Sequence, residues 1–230
     1  MKKDIKILGV VPARAGSVGL KNKNILKINR KSLVERAIDV GLKSKRINKV
    51  IVTTDSKKII NIAKKRKIEC IDRPKNLCRS SSKIYDVLIH ALNFLKKKKF
   101  LFDYLVCLQP TTPLKTSKMI DEGIKKILYH NADSLVSVYK VEDNHPARMY
   151  KITNGMLKSL NKRIQTENRQ KLNHIYHRDG NIYIFKVKSL LKNKTLYGKK
   201  NIPMILTDKT KLNIDNKNDF IYAKIIFKKK

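Results

Sequence analysis

The stretch IKILGVVPARAGSVGLKNKN, Ile5 to Asn24, decides how the rest of the chain is read. Its opening, Ile5 to Val11, is an apolar run interrupted only by Lys6, of strand length and rich in branched side chains, as in a strand buried on both faces of a parallel sheet. The run stops at Pro12 and gives way to a polar loop with Gly16, Gly19 and the cations Arg14, Lys21 and Lys23. Open α/β sheets bind ligands at the carboxyl ends of their strands, and such a loop offers backbone N–H groups and positive charge at that place. By itself a basic glycine loop is as well explained by a solvated turn. It also lacks the G-x-x-x-x-G-K-[ST] and G-x-G-x-x-G spacings of the common phosphate-binding turns.

Downstream, strand-like runs alternate with helix-period segments. Ser32 followed by Glu35 forms a capping box, and Leu33, Ala37, Ile38 and Leu42 then share one helical face. KVIVTTD (Lys49–Asp55) is a second strand, and Asp55 or Ser56 caps the helix KKIINIAKKRK. IECI is a short strand, RPKNLCRSSS (Arg73–Ser82) a polar loop, and Ile84, Val87, Leu88, Ala91, Leu92 and Leu95 a helical stripe that belongs to the core. YLVCL is a further strand that stops at QPTTPLKT (Gln109–Thr116), SKMIDEGIKKIL is helix, and SLVSVY is strand. This alternation specifies an α/β fold with a largely parallel sheet. From Val141 to His177 the pattern weakens around an Asn154-Gly155 turn and reads as an excursion from the sheet. NIYIFK brings back a strand, SLLKNKTLY a short helix, and FIYAKIIF a last helix with Asp219 as its capping acid.

Composition narrows the function classes. The 230 residues hold one main unit, read as a single domain over 1–230. No apolar run reaches membrane-span length, and Pro12 and Arg14 cut off the N-terminal one, so a cytoplasmic protein without a secretory signal is expected. Cys70, Cys78 and Cys107 are odd in number and unpaired in spacing, which suits reduced thiols. His174 and His177 have no Cys or acidic partner at ligand spacing and read as loop histidines rather than a zinc site. The net charge of +36 raises the question of nucleic acid. Its lysines are spread over every segment without interleaved aromatics, which argues for a lysine-enriched surface instead, one whose field also draws in small anions.

Joined to a series of downstream segments, the opening loop is far more specific. VPARAGSVGLKNKN resembles the signature of the cytidylyltransferases that activate nine-carbon acidic sugars, the acylneuraminate (CMP-sialic acid) family with its legionaminic and pseudaminic acid relatives, approximately P-A-R-x-G-S-K-G-[IL]-P-x-K-N. Further matches come in order: VTTD at Val52–Asp55, Arg73-Pro74 with Leu77, LQPTTPL at Leu108–Leu114, His145-Pro146, Arg169-Gln170, DGNIYI at Asp179–Ile184, and NIDNKNDF from Asn213. The resemblance runs over nearly the whole chain and implies a Rossmann-like three-layer α/β sandwich. It implies CTP and an acidic nine-carbon sugar as substrates, Mg²⁺ as cofactor and a homodimer formed through 141–177, with neither membrane nor nucleic acid as partner.

Residue by residue, the resemblance implies that Arg14, Ala15, Gly16, Ser17, Lys23 and Asn24 bind the nucleotide, with Arg73 and Ser82 lining its pocket. Gln109, Arg169 and Tyr183 would meet the sugar. Asp215, with Asn213, would hold the metal, and Arg14, Lys23 and Asp215 form the catalytic set. Two positions depart from the signature: Val18 stands where lysine is usual, and Lys21 where proline is usual. In LNID the first of two customary aspartates is Asn213, which on a strand shares a face with Asp215 but brings no charge to a cation. Three other readings remain beside the leading one: a cytidylyltransferase for the eight-carbon 3-deoxy-manno-octulosonate, against which the G-S-x-G-L-x-x-K-N loop speaks; a basic nucleic-acid-binding protein; and a relative that binds nucleotide without turnover.

Overall fold

In a computed structural model, residues 4–16, 19–161, 168–207 and 210–228 are described. The opening apolar run forms β1 (Ile7–Pro12), two residues later than its apolar start, because Ile5 lies at the surface. After a loop comes a small hairpin, β2 (Lys27–Ile28) and β3 (Lys31–Ser32), which the sequence pattern does not signal. Helix α1 (Leu33–Lys43) starts at the expected capping box: Ser32 Oγ accepts from Glu35 N, and Glu35 reaches back to Ser32 N. Strand β4 (Lys49–Thr54) leads to α2 (Lys57–Lys65), whose cap is Ser56. Asp55, the other candidate cap, is used elsewhere.

The chain continues through β5 (Glu69–Asp72), α3 (Ile84–Lys97), β6 (Tyr104–Cys107), α4 (Ser117–Tyr129) and β7 (Ser134–Lys140). Within the weakly patterned excursion lies a hairpin, β8 (Tyr150–Thr153) and β9 (Met156–Ser159), turned by Asn154 and Gly155 in left-handed conformations. Strand β10 (Tyr176–Lys186) is longer than NIYIFK suggests. A register break between Arg178 and Tyr183 lets it span a kink, and Gly180 sits there at φ 79°. His177 therefore belongs to a strand and not to a loop. Helix α5 (Val187–Asn193), β11 (Asn201–Ile205) and α6 (Lys217–Lys228) complete the order. β11 is a strand the apolar pattern hides, since Pro203 interrupts it; at a sheet edge proline is tolerated.

Among the described residues, seven strands form the main sheet in the order β11-β7-β10-β6-β1-β4-β5, with β10 alone antiparallel to its neighbours. Alternation along β1 divides the core. Ile7 and Val11 face α1, α2 and α4, while Leu8 and Val10 face α3 and α5. The result is three layers, helices on both faces of a mostly parallel sheet. A third cluster joins α6 to the small hairpin through Ala223, Ile28 and Leu33, with Leu212 and Ile214 between them. The strand order changes direction at β1: the chain runs outward through β4 and β5 on one side of it and returns to β6 on the other, so the loops after β1 and β6 flank a topological switch point.

Candidate active site

A cleft of about 490 Å³ opens at that switch point. Arg14 from the loop after β1, Lys23 and Asn24 from a short 3-10 turn, and Arg73 from the end of β5 line it. So do Arg79 and Ser82 before α3, Gln109 to Thr111 after β6, and Asp215 before α6. Its volume suits a ligand of nucleotide size.

The loop after β1 is held by its own neighbours. Ala13 N donates to Thr53 O at 3.1 Å, Ala15 N to Asp55 Oδ1 at 2.7 Å, and buried Asn24 sends Nδ2 to Arg14 O at 3.0 Å. Asp55 and Asn24 thus hold the N–H and the carbonyl of one peptide group, the one that follows Arg14. Gly19 is required by close approach: a Cβ there would lie 2.4 Å from Asp215 O, so this loop touches the start of α6 directly. Gly16 stands in open space.

Arg73 is 6% exposed and donates through Nη2 to Thr53 O at 2.6 Å and through Nε to Thr53 Oγ1 at 3.3 Å. Burial pulls its pKa below the usual arginine value, which measures the cost of holding this charge out of water. No carboxylate among the described residues forms an ion pair with it. A desolvated guanidinium with donors left over is a site prepared for an anion. Arg14 is tied only weakly, Nη1 reaching Cys78 O at 3.4 Å.

Among the described residues, the one carboxylate lining this cleft is Asp215. Its Oδ1 accepts from Lys23 Nζ at 2.9 Å and its Oδ2 from Asn213 Nδ2 at 2.6 Å. LNID forms no ladder strand, yet its alternation survives: Leu212 and Ile214 are buried, Asn213 and Asp215 exposed on the same side. Helix α6 starts earlier than expected, so Asp219 lies within its first turn rather than before it: its Oδ2 accepts from Asp215 N and Asn216 N at 2.8 and 2.9 Å, while Asn216 Oδ1 accepts from Asp219 N at 3.0 Å. Among the described residues there is no group of three His, Cys, Asp or Glu that could hold a metal. A lone carboxylate fits a hard cation that takes its other ligands from substrate phosphates and water, and does not fit a cage built by protein alone.

A second cleft, of about 380 Å³, adjoins the first and shares Gln109 with it. Arg178, Asp179, Tyr183 and Lys211 line it with Tyr139 and Asn213. Lys211 Nζ lies 3.8 Å from the Tyr139 ring centroid, and Arg178 stacks over Tyr197 at 5.3 Å. Asp179 is buried and accepts from Ser137 Oγ, from Asn181 N at 3.0 Å and from Asn181 Nδ2 at 2.8 Å, which fixes the kink of β10. Half-buried Tyr183 has its pKa raised by burial.

The structure therefore gathers Arg14, Lys23, Asn24, Arg73, Ser82, Gln109 and Asp215 around one cleft and Gln109, Tyr183 and Asn213 around the next. Ser17 and Val18 lie outside the described residues, as does the side chain of Arg169, whose backbone belongs to a 3-10 turn, Arg169–Lys171. Sequence reasoning passed over Arg79, Arg178, Asp179 and Lys211 as cleft residues. Arg79 stands within a loop already marked as polar, whereas nothing local in the chain signals that residues 178 and 211 meet.

The chain matches the family model described as Cytidylyltransferase over residues 8–229. It is 31% identical over 228 residues to an N-acylneuraminate cytidylyltransferase of Escherichia coli, covering 98% of this chain but 53% of that protein, so it spans about half the length of that relative. To a pseudaminic acid cytidylyltransferase of Campylobacter jejuni it is 24% identical, with 97% of each chain covered. Its fold is similar to that of a CMP:2-keto-3-deoxy-manno-octonic acid synthetase complexed with CTP, with a TM-score of 0.72 over 97% of this chain and 99% of the other at 14% identity. The chain belongs to the cytidylyltransferase family.

Proposed function

We propose that this chain couples CTP to an acidic nine-carbon 2-keto sugar, giving the CMP-sugar and pyrophosphate. The observation that carries the reading is the convergence of Arg14, Lys23, Arg73 and Arg79 on a cleft lined, among the described residues, by a single carboxylate, at the switch point of the sheet. Such a cleft suits a triphosphate. Its neighbour, with Arg178 and Lys211 set against Asp179, suits a sugar that is both acidic and polar. The names of the relatives supply the acceptor class, since they act on N-acylneuraminate and pseudaminic acid.

In this reading the anomeric hydroxyl oxygen attacks the α-phosphorus of CTP. The bond from that phosphorus to the bridging oxygen breaks, pyrophosphate leaves with the electron pair, and the hydroxyl proton passes to solvent. Both reactants are anions, so the protein's work is positioning and charge stabilisation, with no covalent intermediate on the chain. Arg14, Lys23 and Asn24, with the loop residues Ala15, Gly16 and Ser17, bind the nucleotide, and Arg73 and Ser82 complete its pocket. Gln109, Tyr183 and Arg169 meet the sugar. Enzymes of this family generally use a divalent metal. We assign Mg²⁺ to Asp215, with Asn213 beside it, where the ion would neutralise phosphate charge.

The excursion 141–177 is assigned to a homodimer. Ile152 and Leu157 face each other directly across the β8–β9 hairpin and are 76% and 67% exposed, an apolar pair that a second copy of the chain would cover. No helix among the described residues is long and apolar enough to cross a membrane.

The test is pyrophosphate release from CTP and Mg²⁺ with N-acetylneuraminic, legionaminic, pseudaminic and eight-carbon 3-deoxy-manno-octulosonic acids offered in parallel, on protein whose mass has been measured by sedimentation. Release with a nine-carbon acid, from a dimer, is expected. Release with the eight-carbon acid alone, or none with any acid while CTP binds, overturns the substrate reading; a monomer overturns the assignment of the hairpin.

A further inference from the structure

The wall between the two clefts is the loop from Gln109 to Thr116, and beneath it lies a lysine that reaches neither cleft mouth. Lys115 is 4% exposed. Its side chain runs back under its own loop, and Nζ donates to Gln109 O, to Thr112 O at 3.0 Å and to Thr112 Oγ1. The three N–H groups of the ammonium thus have three acceptors, all from the segment that carries Gln109. No carboxylate among the described residues pairs with it. The ionisable groups that face it are the Cys107 thiol on β6 and the carboxylate of Asp179 on β10.

A buried cation without an ion-pair partner is an expensive way to fill space, and methionine or leucine would fill the same volume without the desolvation cost. What the ammonium supplies is convergence. It draws two carbonyls and a hydroxyl of one loop onto a single point. That loop is tied in turn to both neighbouring segments: Thr112 Oγ1 reaches Gly180 O at 3.4 Å in the kink of β10, and Thr111 O accepts from Ile214 N at 2.8 Å, between Asn213 and Asp215. The kink also lies against the loop, since a Cβ on Gly180 would be in ordinary contact with Thr112 Cγ2 at 3.5 Å and Gln109 Oε1 at 3.8 Å.

We infer that Lys115 is a positioning residue: by clamping the Gln109–Thr112 turn from below it fixes where Gln109 projects, and so fixes how the contents of the two clefts are aligned. It touches neither substrate and acts through Gln109. The inference rests on the reading of the two clefts as nucleotide and sugar sites. A misplacement of one ångström between reacting groups costs on the order of a hundredfold in rate, which is the scale on which such a clamp matters.

A double-mutant cycle tests it. Lys115→Met keeps the bulk and removes the donors. In the wild-type background it is expected to lower kcat/KM for the acid by about thirtyfold, while CTP affinity changes by less than about threefold. In a Gln109→Ala background the same change is expected to cost less than about threefold, because its target is already gone. An equal loss in both backgrounds, or no loss in either, overturns the inference. Should Lys115→Met fail to fold, Thr112→Val removes one acceptor and the link to Gly180, and is expected to show the same dependence on Gln109 at about a fivefold scale. The clamp can be separated from the substrate reading by NMR without turnover. Lys115→Met, or Thr112→Val in its place, should shift the Gln109 side-chain and Gly180 backbone amide signals, while the signals of Ala15 and Asn24 stay in place. Unshifted Gln109 signals overturn the inference, whatever the acid assay shows.

Discussion

Gln109 looks into two clefts, one lined by Arg14, Lys23, Arg73 and Arg79, the other by Arg178 and Lys211 beside Asp179. The first is built on the carboxyl ends of parallel strands, each cation delivered by the loop that follows its strand. The second is built on the kink of β10, antiparallel to its neighbours in the main sheet, and on a segment without ladder pairing. The first also holds its charge at greater cost: Arg73 is buried, its partners are neutral oxygens of Thr53, and its pKa is lowered by desolvation. In the second cleft a buried carboxylate stands beside the cations, and aromatic rings support them. A site that sets four cations against one carboxylate answers to a polyanion. A site that mixes signs answers to a ligand read by its hydroxyl and amide groups as well as its charge.

That difference is open to attack with a crossed pair of substitutions. Arg73→Gln keeps a donor for Thr53 and removes the buried charge; loss of one partner from a desolvated charge pair typically costs several kcal/mol, so CTP affinity should fall by about a hundredfold to a thousandfold. Arg178→Met keeps the stem of a partly exposed side chain and should raise KM for the acid by about tenfold, with CTP affinity within about threefold of wild type. Calorimetric titration with CTP and steady-state kinetics in the acid decide it. Equal effects of both substitutions on CTP would mean that the two clefts are one site, and the comparison would fall.

The same contrast explains what could be read in the chain before its fold. β1, the capped α1, β4 and α3 announce themselves because period and caps are local: Ser32 and Glu35 are three residues apart, and the apolar stripe of α3 needs no information from elsewhere. The loops Pro12 to Asn24 and Gln109 to Thr116 of the first cleft were legible for that reason, each following a visible strand; Arg73, Ser82 and Asp215 came only with the family resemblance. The role of Asp55 was not, because it competes between capping α2 and holding Ala15 N, and only the meeting of the β1 and β4 ends decides the matter. β11 escaped notice because Pro203 breaks its apolar pattern, and an edge position that tolerates proline is a property of the sheet rather than of the segment. The cations of the second cleft escaped for a stronger reason. Arg178 and Lys211 come together through the pairing of β10 with β7 and through Ile214 N bonding to Thr111 O, contacts between residues far apart in sequence.

Lys115 offers the finest test, since it belongs to the wall common to both clefts and its own proton can be followed. Burial pulls its pKa from the ordinary 10.5 down to about 7. Below that value folded and unfolded chains both carry the proton, and the full cost of burying the charge is present. Between about 7 and 10.5 the unfolded chain holds a proton that the folded chain has released, so stability rises with pH across this window. The cradle accommodates both states: a neutral amine still donates to Gln109 O and Thr112 O and can accept from the Thr112 hydroxyl. Cys107, which faces the same lysine, is pushed up to about 12 and stays a thiol in the fold; because the unfolded thiol ionises near 9, it adds a slope of opposite sign, one that wild type and variant share. With so many other lysines titrating at the surface, only a difference is informative. Urea unfolding of wild type and Lys115→Met at a series of pH values should show the wild type gaining on the variant by about 1–2 kcal/mol between pH 7 and 9, within the limit of about 1.4 kcal/mol per pH unit for one proton. A difference that stays flat would mean that the lysine keeps its ordinary pKa in the fold. The ammonium would then be a permanent part of the wall between the clefts, compensated there by its three acceptors alone.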